Sequence, residues 1–454
     1  MRILLVRTAR MKQAITLGEF MFCEPIGLEC VAGVLKGRHT VRILDLMVDE
    51  VAIETVCADW MPDVVGITSL CVDVKNVLEL AQRVKAHHPA IVTVVGGTQA
   101  FMAPTAFEHQ EVDHLFVFTT GANLTALFEV LERGGEVPLL DGVRSRERGF
   151  ASNGVKGFNE YLVPDRASTA AYRSHYSYFG YRPCAIMQTS QGCGQHCGFC
   201  LRWRLEGGVE KPQSLDVVMQ QIRNMAEPSI MIYDNDLFTD GVRLNELCEQ
   251  LEREGIRKNF LCYGSVRGVL ANGEAVARFA RNGLRAVLIG YESFRAADLA
   301  QYRKPATPDD NLAAARFLRS IKVDAWASLI LHPDWDHADF RSFRRALRAL
   351  RPQIASMSPL TPLLQIPFFE EYEDRLLFAR DDYEKWSFSQ VTIRPSRMSL
   401  RRYYWEVLKT NLYINLWSNN LGYLIRKFGP LTVLRLLRGA ARVMGRYVKL
   451  MRQG

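Results

Sequence analysis

Cys193, Cys197 and Cys200 form the densest group of metal-seeking side chains in this 454-residue sequence. They are spaced C-x3-C-x2-C within Gln188-Thr-Ser-Gln-Gly-Cys-Gly-Gln-His-Cys-Gly-Phe-Cys200, just after a short apolar run. Gly192, Gly194 and Gly198 loosen the backbone between them, so three thiolates can wrap one small metal centre. A closed structural zinc site wants four ligands, usually as two C-x2-C pairs, and here the fourth would come from a side chain such as His196. A [4Fe–4S] cluster on three cysteines leaves one iron open to a substrate or cofactor. Spacing alone leaves both open.

Further polar groups close later apolar runs: Asp234-Asn-Asp236, Ser265-Val-Arg267, and Glu292-Ser293 in Ile289-Gly-Tyr-Glu-Ser. An EF-hand on Asp234, Asp236 and Asp240 fails, because Phe238 holds position five and no glycine holds position six. His332-Pro-Asp-Trp-Asp-His337 invites a metal, but Asp336 and Asp339 also suit the start of a helix, with His332 lining a cavity.

The elements that would carry these groups follow from periodicity. Strand-like runs at Arg2–Arg7, Val41–Asp45, Asp63–Ser69, Ile91–Gly96 and His114–Phe118 alternate with helical patterns at Gly27–Lys36, Asp73–His87 and Asn123–Arg133. Residues 1–145 are therefore expected to form a doubly wound parallel sheet, with ligands at the carboxyl ends of its strands. Residues 146–182, polar and then aromatic without helical period, read as a connector. From 183 to 384 six strand–helix units suggest a partial (β/α)6 TIM-type barrel, and the cysteine loop follows its first strand, on the face where such barrels carry their sites.

The chain is 48% hydrophobic and 23% charged, an ordinary globular balance. Its ten cysteines do not form a secreted framework, and Cys57, Cys71, Cys248 and Cys262 sit in apolar patterns. The early charge at Arg2 and Arg7 argues against a signal peptide, no run of about 18 apolar residues spans a membrane, and a cytoplasmic setting is expected. The net charge of +8 is uneven: from Arg394 onward 13 basic residues face one acid, against 44 and 48 before it. Residues 385–454 read as a helical basic region. After Gly429-Pro430, Arg435, Arg438, Arg442, Arg446 and Lys449 fall within roughly an 80° arc, with Val433, Leu437, Met444 and Tyr447 opposite. Such a helix suits an anionic bilayer, a partner, or simple docking on the barrel. No nucleic-acid module accompanies the charge.

The cysteine spacing, with Phe199 before the last cysteine, resembles the signature of the radical S-adenosylmethionine (SAM) enzymes. The N-terminal stretches Pro25-Ile-Gly-Leu-Glu, Val41-Arg-Ile-Leu-Asp-Leu, Pro62-Asp-Val-Val-Gly-Ile-Thr-Ser and Val95-Gly-Gly-Thr-Gln-Ala resemble the cobalamin-binding domain that precedes many of them. The resemblance covers about residues 1–410 and implies three cofactors: a [4Fe–4S] cluster, SAM and cobalamin. It implies that Cys193, Cys197 and Cys200 ligate the cluster and that Phe199, Asp234 or Asp236, Arg267, Glu292 and Ser293 contact SAM. Thr68, Ser69, Gly96 and Gly97 would contact the corrinoid's nucleotide tail. Two departures stand out: D-x-H-x-x-G is missing, and Thr119-Thr-Gly-Ala-Asn123 replaces the family's Arg-Gly-Glu-Gly-Glu. The implied activity is methylation of an unactivated carbon of a small, lipid-like molecule through a 5′-deoxyadenosyl radical, as in the hopanoid methylases. A ferredoxin or flavodoxin would supply the electron. The alternatives are an oxidative cyclase without methyl transfer, like the anaerobic porphyrin-ring cyclases, and a non-enzymatic iron–sulfur or zinc docking module.

Overall fold

Runs such as Ile3-Leu-Leu-Val6 and Val64-Val-Gly-Ile67 are apolar at successive positions, which demands cover on both faces of a sheet. The computed structural model describes residues 1–9, 21–419 and 421–453 and supplies that cover. Its first sheet holds β1 (Arg2–Arg7), β2 (Thr40–Asp45), β3 (Val64–Thr68), β4 (Val92–Gly96), β5 (His114–Phe116) and β6 (Val143–Ser145), in spatial order β2-β1-β3-β4-β5-β6. The first five run parallel and β6 closes the edge antiparallel to β5. Helices Ile26–Leu35 and Gly121–Arg133 bury one face, and Ile53–Trp60 and Val74–His87 the other. The strand order reverses between β1 and β3, so the crevice of this topology opens over their carboxyl ends. The helix Ile53–Trp60 and strand β6 are additions to the sequence reading, because eight and three residues carry too little periodicity to reveal them.

The second sheet holds β7 (Cys184–Met187), β8 (Ser229–Ile232), β9 (Asn259–Ser265), β10 (Leu284–Glu292), β11 (Asp324–Leu331) and β12 (Ile354–Pro359), all parallel and adjacent in chain order. Five helices return the chain between them, at Leu215–Asn224, Gly241–Arg253, Gly273–Arg281, Pro308–Ser320 and His337–Leu350. This is an open six-stranded part of a (β/α) barrel, with every strand ending on one rim. The largest apolar core lies between these strands and their outer helices.

The connector is structured. Arg166–His175 forms 3-10 turns where the sequence shows no helical period, and its aromatics pack between the domains. The Phe179 ring lies 3.9 Å from that of Trp326, and the Tyr176 hydroxyl donates to Asp45 at 2.9 Å. Two connector arginines join the sheets ionically. Arg166 donates to Glu24 (2.6 Å) and to the Ile186 carbonyl (2.6 Å), while Arg173 pairs with Glu24 and with Glu227 (2.9 Å). Glu24 and Glu29 are fully buried beside them, and burial pushes Glu29 up to about 7 against the pull of Arg166.

The tail forms a helix Leu400–Tyr413, a wide turn Ile414–Ser418, and a helix Leu421–Gln453 bent at Gly429 (φ +82) ahead of Pro430. The last helix keeps most of the expected division, with Arg435, Arg438, Arg442 and Lys449 exposed and Val433 and Tyr447 buried, and departs from it at two positions. Arg446 turns inward and donates to Ser389 Oγ and Gln390 Oε1, each at 3.0 Å, beside a buried Tyr447. Leu437, placed opposite the arginines, is exposed. Docking on the barrel draws Arg446 out of the exposed arc. No helix among the described residues is long and apolar enough to cross a membrane.

Candidate active site between facing strand ends

The cysteine loop leaves β7 at Met187. Ser190–Gln191 pairs antiparallel with Lys211–Pro212, and Gly192 passes so close that a Cβ would lie 2.0 Å from the Val209 carbonyl, at φ +83. The Cys193 amide donates to the Gly207 carbonyl (3.1 Å), and the Gly198 amide to Tyr302 (3.0 Å). A Cβ on Gly198 would meet the Phe368 ring at 2.7 Å. These constraints fix where the three thiols stand. Cys197 is buried and Cys193 and Cys200 half-buried; burial raises all three thiols, Cys197 to about 12, while the Lys304 cation pulls them back. A thiolate here needs a positive partner, which the irons of a cluster provide. His196 faces away from such a role: its Nε2 is 3.1 Å from the Gly208 carbonyl, and its ring stands against Trp203. Among the described residues no three His, Cys, Asp or Glu side chains converge as ligands of one metal ion.

The residues after β8 brace this loop. Asp234, which the resemblance offers to the SAM ammonium, is buried, and both its oxygens are engaged. It accepts from the Thr189 amide (2.6 Å), the Thr189 hydroxyl (2.5 Å) and the Ser190 hydroxyl (3.2 Å). Burial still pushes it up to about 6. Asp236 accepts from Gln195 (3.0 Å) and from the Ser265 amide (3.0 Å). Between them Asn235 donates to the Gly192 carbonyl (2.9 Å) and to Glu206 (2.9 Å), which also accepts from the Gly192 amide (3.2 Å). All three residues thus hold the cysteine loop. Gln195, Asn235 and Glu206 escaped the sequence reading, because their partners lie 14 to 43 positions away with no fixed offset.

Arg267 is exposed on the helix Val266–Ala271 with no ion pair to a described residue. Glu292 ends β10 with φ +59, buried, 3.1 Å from Lys304 Nζ. That pair lies over Gly290, where a Cβ would stand 2.2 Å from Glu292 Oε1. Ser293 is buried and donates to Asp298 (2.7 Å), a local contact and not an open one. Phe199 stands edge-on to Tyr302, ring centres 5.5 Å apart. His332 Nε2 donates to Gln301 Oε1 (2.8 Å) while its Nδ1 accepts from the Asp334 amide (3.1 Å), and Asp336 caps the next helix in a reciprocal box with Asp339.

On the first sheet, Thr68, Ser69, Gly96 and Gly97 meet at the ends of β3 and β4. Gly97 has φ +103, and a Cβ there would lie 2.7 Å from the Ser69 carbonyl and 2.9 Å from Thr68 Oγ1. Two positions on, Gln99 is wholly buried, and neither of its amide atoms has a partner among the described residues. A tight glycine cradle and an orphaned buried amide fit a large polar ligand over these ends. The departing loop Thr119–Asn123 caps the helix after it, and the Gly121 amide donates to the carboxylate of connector residue Glu160 at 2.8 Å. The two ligand faces are neighbours. Cys71, Phe101 and Met102 from the first domain share one apolar cluster with Phe199, Tyr302 and Phe368 around the cysteine loop.

This arrangement has relatives. The B12 binding domain model matches residues 20–127 and the Radical SAM superfamily model residues 187–347. The hopanoid C-3 methylase of Methylococcus capsulatus is 32% identical over 423 residues, 89% of this chain and 78% of that protein. The chain belongs to the cobalamin-dependent radical SAM methylase family. Its cofactors are accordingly a [4Fe–4S] cluster, SAM and cobalamin. The anaerobic magnesium-protoporphyrin IX monomethyl ester cyclase of Rubrivivax gelatinosus is 22% identical, covering 82% of this chain and 70% of that one. Among solved structures, the radical SAM methyltransferase TsrM from Kitasatospora setae, with cobalamin and [4Fe–4S] cluster bound, shares the fold at TM-score 0.71 and 14% identity, covering 99% of each chain. The cobalamin-dependent radical enzyme OxsB does so at TM-score 0.73 and 15% identity, covering 96% of this chain and 70% of that one. The methylase reading of the cysteine loop and of the first sheet therefore replaces the zinc-module alternative.

Proposed function

We propose that this methylase transfers a methyl group to an unactivated carbon of a small, lipid-like molecule lodged between the two sets of strand ends. The observation that carries the reading is the shared apolar cluster that joins Met102 and Cys71, beside the glycine cradle, to Phe199 and Tyr302, beside the cysteines. When bound, the reduced cluster and SAM supply the radical, and cobalamin supplies the methyl group. The chain's part is placement. Cys193, Cys197 and Cys200 hold the cluster, leaving one iron for SAM. Glu292 and Lys304, a buried carboxylate and ammonium beside the thiols, match the ribose and carboxylate of SAM. Gly97 admits the corrinoid tail over Thr68, Ser69 and Gly96. The rings of Tyr302, Phe199 and Phe368 exclude water from the space between. The buried hydroxyl of Tyr302 and the amide of Gln99 have no partner among the described residues and are available to a bound molecule. The hopanoid methylase's name supports a polycyclic or otherwise lipid-like substrate. A ferredoxin or flavodoxin would donate the electron.

Anaerobic reconstitution with SAM and a reductant tests the reading. Formation of both 5′-deoxyadenosine and S-adenosylhomocysteine is expected, and deoxyadenosine alone would instead assign a cyclase. If neither product forms and Cys197→Ala leaves the iron content unchanged, the assignment of the cysteines fails.

A further inference from the structure

Eight of the eighteen exposed large apolar side chains among the described residues lie between positions 405 and 437, a small part of the chain. They are not scattered within it. Arg401, Trp405, Lys409, Leu412 and Leu416 recur at helical spacing, so one face of the helix Leu400–Tyr413 and its following turn carries them. Trp405 is 46% exposed, Leu416 56% and Trp417 71%. After the bend at Gly429 the pattern resumes, with Leu431 (59%) and Leu434 (44%) interleaved with the exposed Arg435, Arg438 and Arg442. The tail's single acid is absent from this surface. Glu406 is buried, where it accepts from His337 (2.7 Å), Arg344 (3.0 Å) and Lys409, so the exposed cations of the face are its arginines.

We propose that residues 401–419 and 421–442 form a docking face for an anionic lipid bilayer. Aromatic and leucine side chains bare to solvent beside arginines, with no exposed acid in the tail, match the acyl boundary and the anionic headgroups together. A second copy of the chain would bring two strongly basic tails into contact, which charge repulsion opposes. Nucleic acid would satisfy the arginines and leave the leucines and tryptophans wet. The face takes in Arg435, Arg438 and Arg442 of the arc that the helical wheel describes and leaves out Arg446, which is tied to Ser389 and Gln390 beside the buried Tyr447. The surface stands independently of the substrate proposed above, since it requires nothing of the active site.

The test uses the full-length holoprotein and vesicles of phosphatidylcholine alone or with about one-third phosphatidylglycerol. Co-sedimentation should favour the anionic vesicles, weaken as salt rises, and shift tryptophan emission to the blue. Arg438→Gln should lower partitioning about fivefold and Trp417→Ser about tenfold, each with an unchanged unfolding midpoint because both side chains are exposed. Equal partitioning onto neutral and anionic vesicles overturns the proposal. So does a dimer in sedimentation velocity that Trp417→Ser dissociates, since the face would then belong to a second copy.

Discussion

Asp234→Ala and Asp234→Asn separate two roles for the first acid after β8. If Asp234 is a brace, its removal strands the buried Thr189 amide and leaves the Thr189 and Ser190 hydroxyls to find other acceptors. An unsatisfied buried donor costs about 1–3 kcal/mol, and hydrogen bonds to a charged acceptor sit at the upper end. Loss of the burial penalty that raises Asp234 to about 6 offsets part of this. We expect Asp234→Ala to destabilise by about 3 kcal/mol, or some 6–12 °C in the unfolding midpoint for a unit of the barrel's size. Because Thr189 and Ser190 lead into the cysteine loop, iron retained after anaerobic reconstitution should fall in parallel. Asp234→Asn keeps one acceptor for the Thr189 amide and removes a buried charge, so it should stay within about 1 kcal/mol of the parent and keep its iron. The SAM dissociation constant of the Asn variant, measured by equilibrium dialysis, should be nearly unchanged. A variant Asp234→Ala with parental midpoint and iron content but greatly weakened SAM binding would refute the brace and restore the ammonium contact.

Lys304→Met leaves Glu292 buried without its cation and removes a positive charge beside Cys197, so it should cost about 3–5 kcal/mol and lower the cluster's reduction potential by tens of millivolts. An EPR-monitored redox titration reads the potential, and Lys304→Arg should restore most of it. Gly97→Ala places a methyl group 2.7 Å from the Ser69 carbonyl at a positive φ; corrinoid absorbance after reconstitution should drop while iron content holds. Glu29, raised from 4.5 to about 7 chiefly by burial, favours its protonated form in the folded state. Its contribution is fully present below its unfolded pKa and lost as pH rises toward 7, by about 3 kcal/mol in all. Glu29→Gln should therefore flatten the fall in stability over that range, which urea unfolding at several pH values would reveal.

The sequence made the two sheets readable because their strands are continuous apolar runs and their helices long enough to show a period. The cysteine triplet and Gly96-Gly97 were equally legible, since each is a local spacing with a direct geometric consequence. What the local pattern lacks is direction. An aspartate after a strand can face the open rim or turn back to the neighbouring strand's exit, and Asp234 turns back to Thr189. Ser293 likewise spends its hydroxyl on Asp298. Lys304 reaches Glu292 only because the helix Ala296–Gln301 and its turn fold over Gly290, which no spacing rule specifies. The tail shows the same limit from another side: its helical period was plain, but which face meets solvent depends on what the barrel offers to cover it.

The connector carries a consequence for how such enzymes diversify. Arg166 and Arg173 are held by Glu24 of the first sheet's domain, by Glu227 of the barrel and by the Ile186 carbonyl within β7. Each of these charges is buried where a lost partner is costly. A corrinoid module grafted from a relative with different residues at these places would leave ions stranded in the joint. The two halves are separable on paper and interlocked in the molecule, so they should travel through evolution as a matched pair, with new substrates won by changing the walls of the space between them.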